Sequence, residues 1–522
     1  MNTNCTKDIN YYLGLLKSED KFARREAAER LGELKSPLAV YPLTKALCDN
    51  SKGVQEAAAD ALINIGGEGT VYNMAPLLRN ENLGVRNIAI EILSKIGRDN
   101  LELLISLLGD KDNHVRMFIA DILGNLGDKL SVLPLIKSLY DEDQNVQQSV
   151  INSLGFLKDP IAVNSLMNIF STTKEGWIKF SIAQALAKIG DKRAIEPLLN
   201  NLSSDDELVV YGIIEALGTL GDISVVPSLS EKLLSSQPPL SGLIIKTLVE
   251  ISEKTNSNIF IKIDKDTFTK YLVLALEDGD QEVRDTAIRG LIKYPIQKAA
   301  KPLVKILKGI AEDDEEKRLL LAQAIEKTDD IKIITEMLND EKKIASLACL
   351  IIGRAGIKEA IPHLSDLLES SDNIELRREA ISAISSIKDS NSVDLFISYL
   401  DDRDGHVRRT AANALGLLKN KKALASLFNL LKREPYGDVI DQTLHSITTI
   451  SGKKVIQDLI NLLKDKKPLL RELATIESGN LKDNESIDKV IFALSEFLKN
   501  ETVKGALSAV LKIVEKNEEE NR

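Results

Sequence analysis

A chain of 522 residues, 43% of them apolar, has ample material for a buried core, and an aromatic content of only 4% makes that core one of Leu, Ile, Ala and Val. With 78 acidic against 68 basic residues the formal charge is −10. That excludes a general nucleic-acid binder, because phosphate contacts need an excess of Lys and Arg, and leaves room only for a local basic strip.

The opening stretch, MNTNCTKDINYYLGLLKSED, has neither the apolar run nor the cleavage site of a secretory leader. No later window approaches the roughly 18 apolar residues of a membrane span. Cys5, Cys48 and Cys349 are far apart and have no metal-ligand spacing. They read as reduced thiols of a cytoplasmic protein.

The chain is organised by one unit, clearest in Asp112 to Asp128, DNHVRMFIADILGNLGD. An acidic turn leads into Val-Arg, and apolar residues then fall at 0, +4, +7, +8 and +11 from Val115, one face of a helix. The unit recurs as DGHVRRTAANALGLL from Asp404, as DQEVRDTAIRGL from Asp280 and, as a variant, DKFARREAAERLGEL from Asp20. Its anchors are Ala23, Val54, Val85, Val115, Val146, Ile178, Val209 and Leu240, in steps of 30 to 32. After a longer step the series resumes at Val283, Lys317, Ile344, Leu376, Val407 and Val439, and degenerate units near Leu470 and Val503 close it. A period this constant means stacked units, each packing on its neighbours, rather than one central core.

Each period divides into two helices of about 10–14 residues, with no strands. The second helix carries Val-Arg and ends near the glycines Gly124 and Gly127, which permit close helix approach and a left-handed cap. The first helix of the next unit carries a recurrent proline, Pro42, Pro134, Pro197, Pro227, Pro302 or Pro362. In an early turn proline costs little.

Tetratricopeptide and ankyrin units have similar periods, but their signature patterns do not occur. The D-x3-VR-x2-A-x2-ALG-x-LGD pattern resembles HEAT repeats, specifically the short type grouped with phycobilisome lyases. The resemblance runs from about Asp8 to Lys516 and is weak at Leu240, Lys317, Leu470 and Val503. It implies an all-α fold, a right-handed α-α superhelix (solenoid) of about sixteen stacked HEAT-like helix pairs. We expect one array over residues 8–251, an insertion or hinge loop at 252–267, and a second array over 268–516.

In that family the turn acid and the Arg after Val look like a structural ladder between adjacent repeats. The matching residues are Arg24, Arg86, Arg116, Arg284, Arg377 and Arg408, each with a turn carboxylate nearby, such as Asp112 for Arg116. Paired charge is the usual fate of a half-buried arginine, so an anion-binding strip is the lesser reading. Gln55, Gln147 and Val210 interrupt the ladder.

The segment Ile251 to Phe268, ISEKTNSNIFIKIDKDTF, lengthens one period to 43 and alternates apolar and charged residues through Ile259, Ile261 and Ile263. It reads as a surface loop with a short extended piece, or as a hinge or docking loop.

The resemblance places the second helices on the concave face. Position +6 points away from the apolar stripe and reads Glu29, Asp60, Glu91, Asp121, Asn152, Gln184 and Glu215. Beyond these it becomes Lys246, Arg289, Gln323, Leu350, Ser382, Asn413 and His445. A column of carboxylates about 10 Å apart would attract a basic segment, although exposed positions of an acidic protein are often acidic anyway. Phe118, Phe156, Trp177, Phe180 and Tyr211 lie on or beside the second helices of units four to seven. They are either anchors for a partner or fillers between repeats.

Enzyme readings find little. None of His114, His363, His406 and His445 is followed by Glu, so the His-Glu pairs of the related deoxyhypusine hydroxylases are missing. The acidic lining disfavours the HEAT-like DNA glycosylases, which want a basic groove. No phosphate-binding or nucleophile-elbow motif occurs. The acid-rich end, VKGALSAVLKIVEKNEEENR, reads as a solvated cap.

The sequence therefore predicts a non-catalytic scaffold with no cofactor and no metal. Its partner-binding residues would be Glu29, Asp60, Glu91, Asp121, Phe156, Trp177, Phe180, Tyr211 and Glu215. The partner would be a protein with a basic segment, with no nucleic acid and no membrane involved. The alternative is a phycobilisome-lyase-like or other cofactor-handling enzyme or accessory subunit.

Overall fold

The computed structural model describes residues 3–259, 263–310 and 314–452, together with Asp458, Asn461 and Ala474. Among these residues the chain is helical throughout, with no strand, and forms fourteen helix pairs up to Ser451. The expected units near Leu470 and Val503, and the acid-rich end, lie outside the described residues. The chain divides into two compact units, 1–287 and 288–522.

The second helices are the regular elements. In the first unit they are Lys21–Glu33, Lys52–Ile65, Leu83–Ile96, Asn113–Leu126, Gln144–Leu157, Gly176–Ile189, Glu207–Leu220 and Leu240–Thr255. Each begins after a short polar turn, and in most an Asp or Asn side chain accepts an orphan N–H of the first turn. Asp112 accepts from His114, and Asp143 accepts from Asn145 and Val146. The apolar stripe is buried as its spacing requires: Val115, Ile119, Ile122 and Leu123 are almost wholly inaccessible. Burying one such side chain stabilises the fold by about 1.5–3 kcal/mol.

Many first helices are shorter than expected: they run from six residues in Leu101–Ser106 and Ile195–Asn200, through ten or eleven in Val163–Thr172 and Lys265–Ala275, to thirteen in the opening Thr3–Leu15. Proline is the reason for several of them. Pro134 is the third residue of Val132–Ser138, and deeper in a helix its ring would strike the carbonyl four residues back. The helix must therefore start there. The residues before it form a separate 3-10 turn, Lys129–Ser131, capped by Asp128.

Glycine sets the spacing between repeats. A Cβ on Gly124 would come within 2.6 Å of the Ser153 Cβ and 2.8 Å of its Cα on the next second helix. Gly416 meets Ser446 in the same way in the second unit. The Leu-Gly of the repeat is thus a contact surface between backbones. The second glycine, Gly127, ends its helix in the left-handed region at φ 72°. Second helices pack on one another more closely than first helices do.

The insertion is partly helical. The second helix Leu240–Thr255 runs through its first residues, and Ile259 and Ile263 are buried. Residues 260–262, the centre of the expected extended piece, lie outside the described residues.

Candidate functional site

Position +6 is a surface position in every second helix of the first unit. Glu29, Asp60 and Glu91 are exposed, while Asp121, Asn152, Gln184 and Glu215 are half-buried. The same rotation that buries 0, +4, +7 and +8 turns +6 outward. These seven side chains therefore occupy equivalent positions on successive second helices, each at least partly open to solvent.

The row carries some of its own cations. Glu29 pairs with Arg25 at 2.8 Å and Glu91 with Lys95 at 2.7 Å, each four residues away on the same helix. Exposed pairs of this kind contribute little to stability, so an incoming cation can displace them at little cost. Asp121 differs. Burial pushes its carboxyl above the ordinary aspartate range, and a hydrogen bond with Ser149 opposes that rise only in part. At the end of the row, burial and the nearby Glu215 carboxylate raise the Tyr211 phenol.

The aromatic residues divide. Phe156 is 56% exposed and its ring lies 4.4 Å from the Lys188 ammonium, a cation-π contact between adjacent repeats. Phe180 is half-buried against the next helix, where a Cβ on Gly212 would meet its Cδ2 at 2.7 Å. Phe180 therefore fills an inter-repeat gap. Trp177 and Tyr211 are half-buried.

The arginine ladder runs between repeats, but its partners differ from those the sequence suggests. Arg116 meets Asp141 of the next repeat, not Asp112 of its own. Asp112 is occupied as a helix cap and lies 3.7 Å from Arg79. Its orphan backbone donors claim it, while the long fork of Arg116 reaches across the interface. The same step of one repeat joins Arg24 to Asp49 at 2.7 Å, Arg377 to Asp402 at 2.5 Å and Arg408 to Glu434 at 2.7 Å. Hydrogen bonding to Asp49 raises Arg24, and the Arg24 guanidinium in turn holds the Asp49 carboxyl below its usual range.

Two expected rungs are different in kind. Arg86 donates to the Asn80 carbonyl at 3.3 Å and stands 5.7 Å from the Phe118 ring centre. Arg284 donates to the carbonyls of Asp278 and Gly279. Gln55 and Gln147 keep half of the motif, each donating to a carbonyl six residues back, Asp49 and Asp141 respectively. They lack the second arm that would cross to the next repeat.

The sequence matches HEAT repeats over residues 12–94, 74–140, 101–187, 163–241, 331–402 and 361–448. The chain belongs to the HEAT-repeat family. No curated protein matches it. Among solved structures it is similar to that of Kap95p, whose binding induces the switch loops of RanGDP to adopt the GTP-bound conformation (12% identity, TM-score 0.48, covering 97% of this chain and 84% of that one). It is also similar to Kap121p bound to Nup53p (12%, 0.46, 97% and 70%) and to importin beta (12%, 0.43, 97% and 81%). The family assignment rests on the repeat match, not on these likenesses.

Within the HEAT repeats the histidines stay apart. His114, His363 and His445 are exposed and His406 is half-buried. Burial, with Arg409 and Arg378 close by, lowers His406. Among the described residues no group of three or more His, Cys, Asp and Glu could hold a metal ion, and no helix is long and apolar enough to cross a membrane.

Sequence reading missed two things that a finer pattern contains. One is the acid five residues before each anchor, Asp49, Asp141, Asp402 and Glu434, which is the true rung partner. The other is the basic residue four positions from the column acid, which was present at Arg25 and Lys95.

Proposed function

We propose that this HEAT-repeat chain is a non-catalytic protein-binding scaffold of the cytoplasm. Residues 23–221 display an acidic, aromatic-containing groove that holds a basic segment of a protein partner. The observation that carries the reading is the +6 row. Across seven successive second helices it is never buried and never basic, and five of its seven members are carboxylates. Phe156 adds an exposed ring beside the row, and Asp121 a partly desolvated carboxylate whose charge a bound cation would stabilise.

Recognition of this kind is electrostatic first. A row of like charge steers and registers a basic segment, and apolar anchors then slow its release. The test is affinity capture at low and raised salt, comparing wild type with the combined variant Glu29→Lys, Asp60→Lys, Glu91→Lys and Asp121→Lys. A partner lost both in salt and in the variant supports the groove. A partner retained in both moves the binding surface elsewhere. A purified chain that is coloured or metal-loaded, and captures nothing, would instead favour the cofactor-handling alternative.

A further inference from the structure

The ladder has a vacancy. In the four closed rungs, the residue after the anchor is an arginine and the residue five before the next anchor is the acid that receives it. Asp278 holds that acid position before Val283, but the residue after the preceding anchor, Leu240, is Ser241. The acid half of the rung is present and the guanidinium half is missing.

The acid is held as in the occupied rungs. Asp278 Oδ1 accepts the Asp280 N–H at 2.9 Å, as Asp141 Oδ1 accepts from Asp143 at 2.9 Å and Asp49 Oδ1 from Ser51 at 2.9 Å. In those two rungs the carboxylate also takes a two-pronged arginine: Nε of Arg116 reaches Asp141 Oδ2 at 2.7 Å, and Nη2 reaches Oδ1 at 2.8 Å. Among the described residues no Lys or Arg lies within ion-pair distance of Asp278. Its Oδ2 faces Gly242, where a Cβ would fall 2.1 Å away, so only glycine leaves room for the carboxylate there.

The space beside it is open. A cavity of about 860 Å3 is lined by the Ser236–Pro239 loop, Ser241, Gly242, Tyr271, Leu274 and Asp278. The charged groups on its walls are Lys270, Glu277, Asp278 and Asp280, three carboxylates against one ammonium. Asp280 is itself engaged as a helix cap on the Glu282 N–H at 2.8 Å. Leu274 offers an aliphatic wall to a side-chain stem, and Tyr271 a ring of the kind on which a guanidinium stacks.

We propose that this cavity receives an arginine side chain of a protein partner, its guanidinium closing on Asp278 in the place that Ser241 leaves empty. Three of the four closed rungs, those of Arg24, Arg116 and Arg408, show which chemistry this position takes: a planar, two-pronged donor in line with the carboxylate. A guanidinium satisfies both oxygens at once, which an ammonium does not. The site shares no residue with the acidic row. It rests on the protein-binding reading only for what carries the arginine, and a small probe tests it alone.

The probe is N-acetylarginine amide, titrated onto the full chain by saturation-transfer NMR, with N-acetylcitrulline amide as the neutral isostere. The wild type should bind the arginine derivative saturably and the citrulline derivative at least tenfold more weakly. Asp278→Asn should weaken the arginine derivative at least tenfold. Ser241→Arg supplies the missing guanidinium within the chain, so it should abolish probe binding and raise the thermal midpoint. Circular dichroism confirms that both variants keep the wild-type helix content. No saturable binding to the wild type, equal binding of the two probes, or undiminished binding to a folded Ser241→Arg would each overturn the proposal.

Discussion

Arg116 of one repeat closes a two-pronged ion pair on Asp141 of the next, and both side chains are nearly buried. The same guanidinium donates to the Asp110 carbonyl at 2.9 Å, so a single residue satisfies a loop in its own repeat and a carboxylate in its neighbour. Arg116→Gln separates the two roles. By analogy with Gln55 and Gln147 it keeps the carbonyl bond, but it strands Asp141. We expect a loss of about 2–3 kcal/mol, partly recovered in the double variant with Asp141→Asn, as read by denaturant melts.

Gly124→Ala places a methyl group inside the Ser153 side chain and against its backbone. A cost of about 1–3 kcal/mol follows from overpacking. Ser153→Gly in the same chain should return much of it, less the Ser153 hydroxyl bond to the Ala120 carbonyl. Equal losses in the single and double variants would mean that these helices do not approach there.

The pH dependence of one cap can be isolated. The Asn113 amide, with the Val146 and Asn145 N–H groups, holds the Asp143 carboxyl below its ordinary range. A depressed acid contributes stability that is present above its unfolded pKa and fades as pH falls through the folded one. Asp143→Ala should therefore cost about 1 kcal/mol at neutral pH, and the difference from wild type should shrink below the ordinary aspartate range.

Asp121 has the opposite sign. Its folded carboxyl is raised by burial, and a bound cation would lower it again. Binding of a basic partner should release protons and tighten as pH rises through the window just above the ordinary aspartate range. Asp121→Asn should remove that pH dependence while leaving the salt dependence from Glu29, Asp60 and Glu91.

The thiols report on the second unit. Burial first, and the Glu379 carboxylate second, push the Cys349 thiol up to about 12. Cys48 is exposed. Iodoacetamide at pH 8 should label Cys48 in the native chain and Cys349 only after unfolding, as located by peptide mass spectrometry. Rapid native labelling of Cys349 would contradict its packed position.

Much of this architecture was legible in the sequence because it is periodic. The stripe at Val115, Ile119, Ile122 and Leu123 and the early prolines in the first helices needed only spacing. The ladder partners were not legible. Asp112 is four residues before Arg116 and Asp141 is 25 after it, so sequence proximity favoured the wrong acid. The roles of Phe156 and Phe180 also differ for reasons outside their own helices. One ring meets Lys188 at the surface, and the other covers Gly212 of the next repeat. The vacancy at Asp278 becomes visible only once the occupied rungs define what belongs there.

The most direct measurement of the central claim places a photo-crosslinking residue in the proposed groove. p-Benzoylphenylalanine at Asn152 and at Gln184, the two uncharged members of the acidic row, would report what lies on it, with Leu133 on an exposed first helix as the control. The account predicts crosslinks from both groove positions to partner peptides rich in Lys and Arg, and few from Leu133. Crosslinks of equal yield from Leu133, or groove crosslinks to peptides without basic residues, would contradict it.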